Sequence, residues 1–139
     1  MKYQVNEKTE AYLSRFYEPS ITTYEFLKCF FAYLMQKKVE QVDRDLFSFL
    51  YEQKQNEDNN DVLSEISFRS NGVNYYSDDV EDALFNLQNG GLLGKMNPSF
   101  GIIMIKYTDD EIDEALNSIN PKYNLGIERI ANNYILKNN

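Results

Sequence analysis

The stretch from Ser77 to Leu93, SDDVEDALFNLQNGGLL, decides the fold. Ser77 is a favourable N-cap residue, and the acids after it suit the positive end of a helix dipole. Asn89-Gly90-Gly91 then stops the helix, because glycine readily adopts the left-handed backbone that follows a helix end. The stretch predicts a helix over Ser77–Gln88 and a strand at Leu92-Leu93. One face of this helix is apolar and carries Val80, Ala83, Leu84 and Leu87.

A second strand is expected downstream, in the apolar run Gly101-Ile102-Ile103-Met104-Ile105. The turn around Asn97-Pro98-Ser99 would join it to Leu92-Leu93, so residues 92–107 would form a β-hairpin. Thr108-x-x-Glu111 is a capping-box pattern that opens another helix. Asn120-Pro121 caps the last helix, with proline at its favoured first position.

Upstream, a second capping box, Thr22-x-x-Glu25, opens the most apolar helix. Asp43 can cap the next helix, and the polar run Gln53–Asp61 is predicted to be a loop. Ile66 and Phe68 alternate with polar residues before Asn71-Gly72, so a short strand or hairpin is expected there.

The order helix, helix, strand, helix, β-hairpin predicts an α+β fold: a mostly helical, winged-helix-like single domain with a small antiparallel β-hairpin or sheet. The hairpin of residues 92–107 would be the wing, and Ser77–Gln88 would take the place of the recognition helix. A chain of 139 residues suits one domain. Its expected parts are an N-terminal helical extension (1–20, with a helix at Lys8–Glu18), a winged-helix-like core (21–118) and a C-terminal helix (119–139).

Composition argues against catalysis, cofactor binding and metal binding. The chain has no histidine, which removes the commonest general base and the usual zinc and iron ligand. Glycine-rich phosphate-binding motifs are missing, and Asp58-Asn59-Asn60-Asp61 lacks the glycine and closing glutamate of a calcium loop. Cys29 lies on an apolar helix, where a buried, inert thiol is expected. We therefore predict a non-enzyme with no cofactor and no metal site.

A lone cysteine and the absence of an apolar leader favour a cytoplasmic protein. The most apolar run, Phe26 to Met35, is about half the length of a membrane span. No membrane association is expected.

Negative charge is concentrated in the middle of the chain. The formal net charge is −8, and eight acids against one base, Arg69, lie between Glu57 and Asp82. Acids on a contact surface repel phosphates and can attract a basic protein. The partner-binding candidates are Tyr75, Tyr76, Asp78, Asp79, Glu81 and Asp82. For the two tyrosines, core packing is the favoured interpretation and an exposed interface ring is the alternative.

About half of the chain resembles the Panacea, or SocA-like antitoxin, domain. The resemblance is carried by Leu46-Phe47-Ser48-Phe49-Leu50-Tyr51, Ile66-Ser67-Phe68, Tyr76-Ser77 with the spaced leucines after it, and Gly91-Leu92-Leu93. Asn74-Tyr75 stands where that family has Gly-Pro, and tyrosine does not supply the stiffness of proline. The resemblance implies a role in neutralising a toxin, or in presenting a target, by protein contact.

Two functions rank first after these exclusions, well ahead of a third, an enzyme with an unrecognised mechanism. The first is a protein-binding module (an antitoxin, inhibitor or adaptor) with a basic partner, which includes the case of a phosphate mimic in the groove of a nucleic-acid-binding protein. The second is a DNA-binding winged-helix regulator, which the charge disfavours. The acids are explained equally well if they only keep the domain soluble and do not bind a basic partner. The C-terminal helix is apolar enough either to be buried in the core or to form a homodimer contact, and the sequence does not choose between the two.

Overall fold

A computed structural model describes residues 21–94 and 102–138 of the chain. Within them the chain is α+β and mostly helical. The helices are α1 (Thr23–Gln36), α2 (Asp45–Lys54), α3 (Asn60–Leu63), α4 (Asp78–Asn89), α5 (Asp109–Asn117) and α6 (Asn124–Lys137). Short 3-10 helices at Glu57–Asn59 and Pro121–Tyr123 precede α3 and α6. The strands are β1 (Gln41–Val42), β2 (Arg69–Ser70), β3 (Tyr75–Tyr76) and β4 (Ile103–Met104).

Helix α1 forms the centre of the core. The predicted capping box is confirmed: Thr22 Oγ1 accepts from the Glu25 amide at 3.1 Å, and Glu25 Oε1 accepts from the Thr22 amide at 3.2 Å. Helices α4, α5 and α6 all pack against α1. Because α1 is covered from several sides, its burial extends beyond one face and includes Ala32 and Tyr33.

Helix α6 closes the core through Ile127, Ile130 and Tyr134, which are all buried. The Tyr134 ring lies 5.1 Å from Phe49 and 5.9 Å from Phe30, measured between ring centroids. Leu125 and Leu136 of the same helix stay exposed. Dimerisation through this helix remains a prediction, and these two leucines are the apolar side chains that it leaves available.

The strands form two small antiparallel pairs. In the first, Gln41 lies opposite Met104 and Val42 opposite Ile103. The other side of β4 meets residues 92–94: the Gly94 amide donates to the Met104 carbonyl at 2.9 Å, and Leu93 bridges Ile105. β4 therefore lies between β1 and residues 92–94. In the second pair, β2 and β3 enclose the predicted Asn71-Gly72 turn.

Some sequence expectations need correction, and others lie outside the described residues. The run Gln53–Asp61 is not a loop throughout, because α2 extends to Lys54 and a 3-10 helix leads into α3. Asn120 caps a 3-10 turn before α6 instead of the α-helix itself. The helix expected at Lys8–Glu18, the rest of segment 1–20 and the turn at Asn97-Pro98-Ser99 lie outside the described residues.

Candidate interaction surface

Tyr75 and Tyr76 hold the β2–β3 hairpin against α2. The Tyr75 ring stacks on Tyr51 with centroids 3.6 Å apart and planes 10° apart, and Tyr76 stacks on Phe47 at 5.5 Å and 12°. The sequence favours core packing for both rings, but neither lies in the core: Tyr76 is half-buried and Tyr75 is 36% exposed. Each ring packs on an aromatic side chain of α2 and so leaves part of its surface accessible.

A hydrogen bond adds to the contact with α2, and a cation–π contact holds the two strands of the hairpin together. A side-chain hydrogen bond with Tyr51 is the main reason that the pKa of Tyr75 is raised above its ordinary value. The Arg69 guanidinium lies 4.7 Å from the centre of the Tyr76 ring, within cation–π range. The hairpin is thus attached to α2 by side chains, and it leads directly into the start of α4.

Helix α4 begins as the sequence predicts. Ser77 is buried, and its hydroxyl oxygen accepts from the Val80 amide at 3.2 Å. At the other end, Gly91 has a φ of +81°, a left-handed conformation that glycine adopts without strain. Val80, Ala83, Leu84 and Leu87 are buried, as their spacing predicts.

The first two acids of α4 bind neighbouring groups of the same chain. Asp78 forms an ion pair with Arg69 at 3.0 Å, in which both side chains are about two-thirds exposed. Asp79 Oδ2 accepts from the Ser67 amide at 2.8 Å. These two carboxylates connect the start of α4 to the hairpin and the segment before it, so they have a structural role.

Glu81 and Asp82 differ from this pair. Both are exposed, and among the described residues neither takes part in an ion pair. Since a helix advances 100° per residue, Glu81 lies about 120° and Asp82 about 140° around the helix from the buried Leu87. They are the two predicted acids best placed to meet another molecule.

Phe85 is a residue of this surface that sequence reasoning missed. Its side chain is 56% exposed although it belongs to a helix with a full apolar face. Helical spacing could have identified it, because Phe85 lies about 160° around the helix from Leu87, whereas the core residues cluster on Leu87's side. We define the outer face of α4 as Phe85 and the exposed residues within about 60° of it around the helix axis, which are Asp78, Glu81, Asp82 and Asn89.

Reactive groups elsewhere are sequestered. Burial raises the pKa of the Cys29 thiol to about 11, and its Sγ donates to the Ala115 carbonyl at 3.1 Å. Burial also raises the pKa of Tyr107, whose hydroxyl donates to the Lys28 carbonyl at 2.7 Å. Both groups stay protonated at neutral pH and connect α1 with the chain around α5.

Within residues 21–94 and 102–138, no group of three or more His, Cys, Asp or Glu side chains could hold a metal ion. In the same ranges no helix is long and apolar enough to cross a membrane. A cavity of about 270 Å³ lies between β1 and the end of α6 and shares no residue with the outer face of α4. Its lining is Val39, Gln41, Val42, Asp43, Ile102, Tyr134, Ile135 and Asn138.

Comparison of the chain with protein-family models, curated proteins and solved structures found no match.

Proposed function

We propose that the chain is a non-catalytic protein-binding module of winged-helix type, which acts as an antitoxin, an inhibitor or an adaptor through an acidic surface. The observation that carries the proposal is the composition and exposure of α4. This helix has four acids and no base, and its acids Asp78, Glu81 and Asp82 are exposed. Such a surface attracts a basic protein and repels phosphate.

The connectivity supports the winged-helix part of the proposal. Along the chain the order is α1, β1, α2, the short α3, the β2–β3 hairpin and α4, and residues 92–94 and β4 come after α4. β4 pairs with β1 on one side and with residues 92–94 on the other. This matches a small sheet beside the helices, and α4 then takes the place of the recognition helix.

The same connectivity favours the second candidate, a DNA-binding winged-helix regulator. Charge argues against it, since a recognition helix that enters a groove brings its outer face close to phosphates. Arg69 lies beside the start of α4, but it already pairs with Asp78. The resemblance to the Panacea domain also favours a protein partner, and a nucleic-acid-binding protein whose basic groove accepts a phosphate mimic fits the same surface.

The experiment compares two double charge reversals in the tagged full-length chain, with capture from the native host and mass spectrometry. Glu81→Lys with Asp82→Lys changes the outer face of α4. Asp113→Lys with Glu114→Lys changes two exposed acids of α5 and shifts the net charge equally. We expect the α4 variant to lose the partner and the α5 variant to retain it. Equal retention by both variants would contradict the proposal.

A parallel titration separates the two candidates. A labelled DNA duplex is titrated with the wild-type chain at about 50 and about 200 mM salt, the range over which phosphate-dominated binding weakens by orders of magnitude. We expect no binding at either salt concentration. Tight binding at low salt that is lost at high salt would favour the DNA-binding regulator.

A further inference from the structure

Phe85 occupies the middle of the outer face of α4. Counting 100° per residue, Asp78, Asp82 and Asn89 lie within about 60° of Phe85 around the helix axis, and Glu81 lies one turn before it. More than half of the phenylalanine side chain is exposed at 56%, while Leu87, on the opposite side, is fully buried. The ring therefore projects from the helix and is bordered by carboxylates.

Core packing among the described residues does not account for a phenylalanine at this position. The core contacts of α4 are made by its opposite face, which is buried against α1. Large aromatic side chains are enriched among the few residues that dominate protein–protein binding energy, and they are most effective when surrounded by contacts that exclude water.

We propose that Phe85 is the anchor of the interface: it inserts into an apolar pocket of a partner protein, and the pocket is bordered by Lys or Arg side chains that meet Glu81 and Asp82. The inference rests on the proposed function and adds the chemistry of the partner. The pocket accounts for the aromatic ring, and the basic border accounts for the acids around it, so one partner surface satisfies both.

Charge selects this occupant over the others. A second copy of the chain, docked through the same face, would place the acids of one α4 against those of the other, and like charges at an interface cost affinity. Nucleic acid and anionic membrane surfaces are repelled for the same reason. A basic protein surface with apolar character remains the complementary partner.

The test uses a synthetic amphipathic peptide of Leu and Lys, with the leucines on one helical face, as a defined probe of this chemistry. A scrambled peptide of equal composition controls for charge. Affinities are measured by calorimetry or fluorescence anisotropy at low salt for the full-length wild type and for two variants. Phe85→Gln removes the ring, and the control, Val73→Gln, removes an apolar side chain that is 84% exposed and lies outside both α4 and α6.

We expect Phe85→Gln to weaken binding of the amphipathic peptide by about tenfold or more, as hot-spot truncations do, and Val73→Gln to change it by less than about twofold. Thermal unfolding of Phe85→Gln should match that of the wild type, since the ring is outside the core. The scrambled peptide should bind more weakly and respond little to Phe85→Gln.

Other results overturn the inference in distinguishable ways. Equal effects of the two Gln substitutions, or equal affinity for the two peptides, would show that charge alone drives binding; the proposed function would survive and the anchor would not. If neither peptide binds even at low salt, the acidic surface does not attract basic protein, and the proposed function fails as well.

Discussion

Helices α4 and α5 begin with similar sequences in different surroundings. Ser77 is followed by Asp-Asp-Val-Glu-Asp, and Thr108 is followed by Asp-Asp-Glu-Ile-Asp-Glu. Both cap residues accept a backbone amide of the first turn, and both groups of acids suit the helix dipole. From sequence the two helix starts are nearly equivalent.

In the structure, the two helix starts differ in the residues that surround them. At α4 two acids bind the chain itself, a hairpin with stacked tyrosines precedes the helix, and Phe85 projects from the outer face. At α5, Glu111 completes a capping box, while Asp110, Asp113 and Glu114 are exposed. Under the proposed function, the acids of α4 take part in binding because Phe85 and the hairpin lie beside them, and α5 serves as the internal control.

The largest expected change in the free energy of unfolding comes from the buried side of α5, where the Cys29 thiol donates a hydrogen bond to the Ala115 carbonyl. The pKa of Cys29 is about 11, raised from an ordinary 9.0. In the unfolded chain the thiol ionises from about pH 9, whereas the folded protein keeps the proton up to about pH 11. The contribution of the thiol to the free energy of unfolding is therefore fully present below pH 9 and is lost as the pH rises towards 11. Two pKa units correspond to about 2–3 kcal/mol.

The measurement is urea unfolding at several pH values between 8 and about 11, where the wild type should lose stability on this scale. Cys29→Ala serves as the control: its cavity cost is independent of pH, so the difference between the two proteins isolates the thiol. If both proteins show the same pH dependence, other groups, such as the buried Tyr134, account for the loss.

Features governed by near neighbours could be predicted from the sequence. The caps at Thr22, Ser77 and Thr108 and the stop at Gly91 depend on residues within one helical turn, and all four are present. The pattern of buried residues in α4 likewise follows from local periodicity.

Features governed by distant partners could not be predicted. β1 has only two residues, too few for an alternating pattern, and its partner Met104 lies 63 residues from Gln41. Asn59 is buried within a polar run because the Arg129 guanidinium donates to its side chain from 70 residues away. For the candidate site, the acids were predicted, but the stacking of Tyr75 on Tyr51 depends on how the hairpin docks.

Substitutions of the N-cap residues are expected to have the next largest effect on the free energy of unfolding. Ser77→Ala removes the acceptor for the buried Val80 amide and should lower the free energy of unfolding by about 2 kcal/mol. Thr108→Ala removes an exposed cap and should lower it by about 1 kcal/mol. Denaturant unfolding of the two variants measures the difference. A larger loss for Thr108→Ala would mean that the capping box at α5 matters more than the buried position of Ser77.

The smallest effect distinguishes the second residues of the two helices. Asp79→Ala breaks the hydrogen bond from the Ser67 amide and should cost about 1 kcal/mol, because the partly exposed site weakens a charge-assisted bond. Asp110 is exposed at the same helical position, and Asp110→Ala should cost less than about 0.5 kcal/mol. Asp79→Asn retains an acceptor oxygen and should recover part of the loss. If all three variants lose the same stability, both carboxylates act only through the helix dipole. The hydrogen bond to Ser67 would then add no stability at the start of α4, and the contrast between the helices would depend on the Asp78–Arg69 ion pair and on their outer faces.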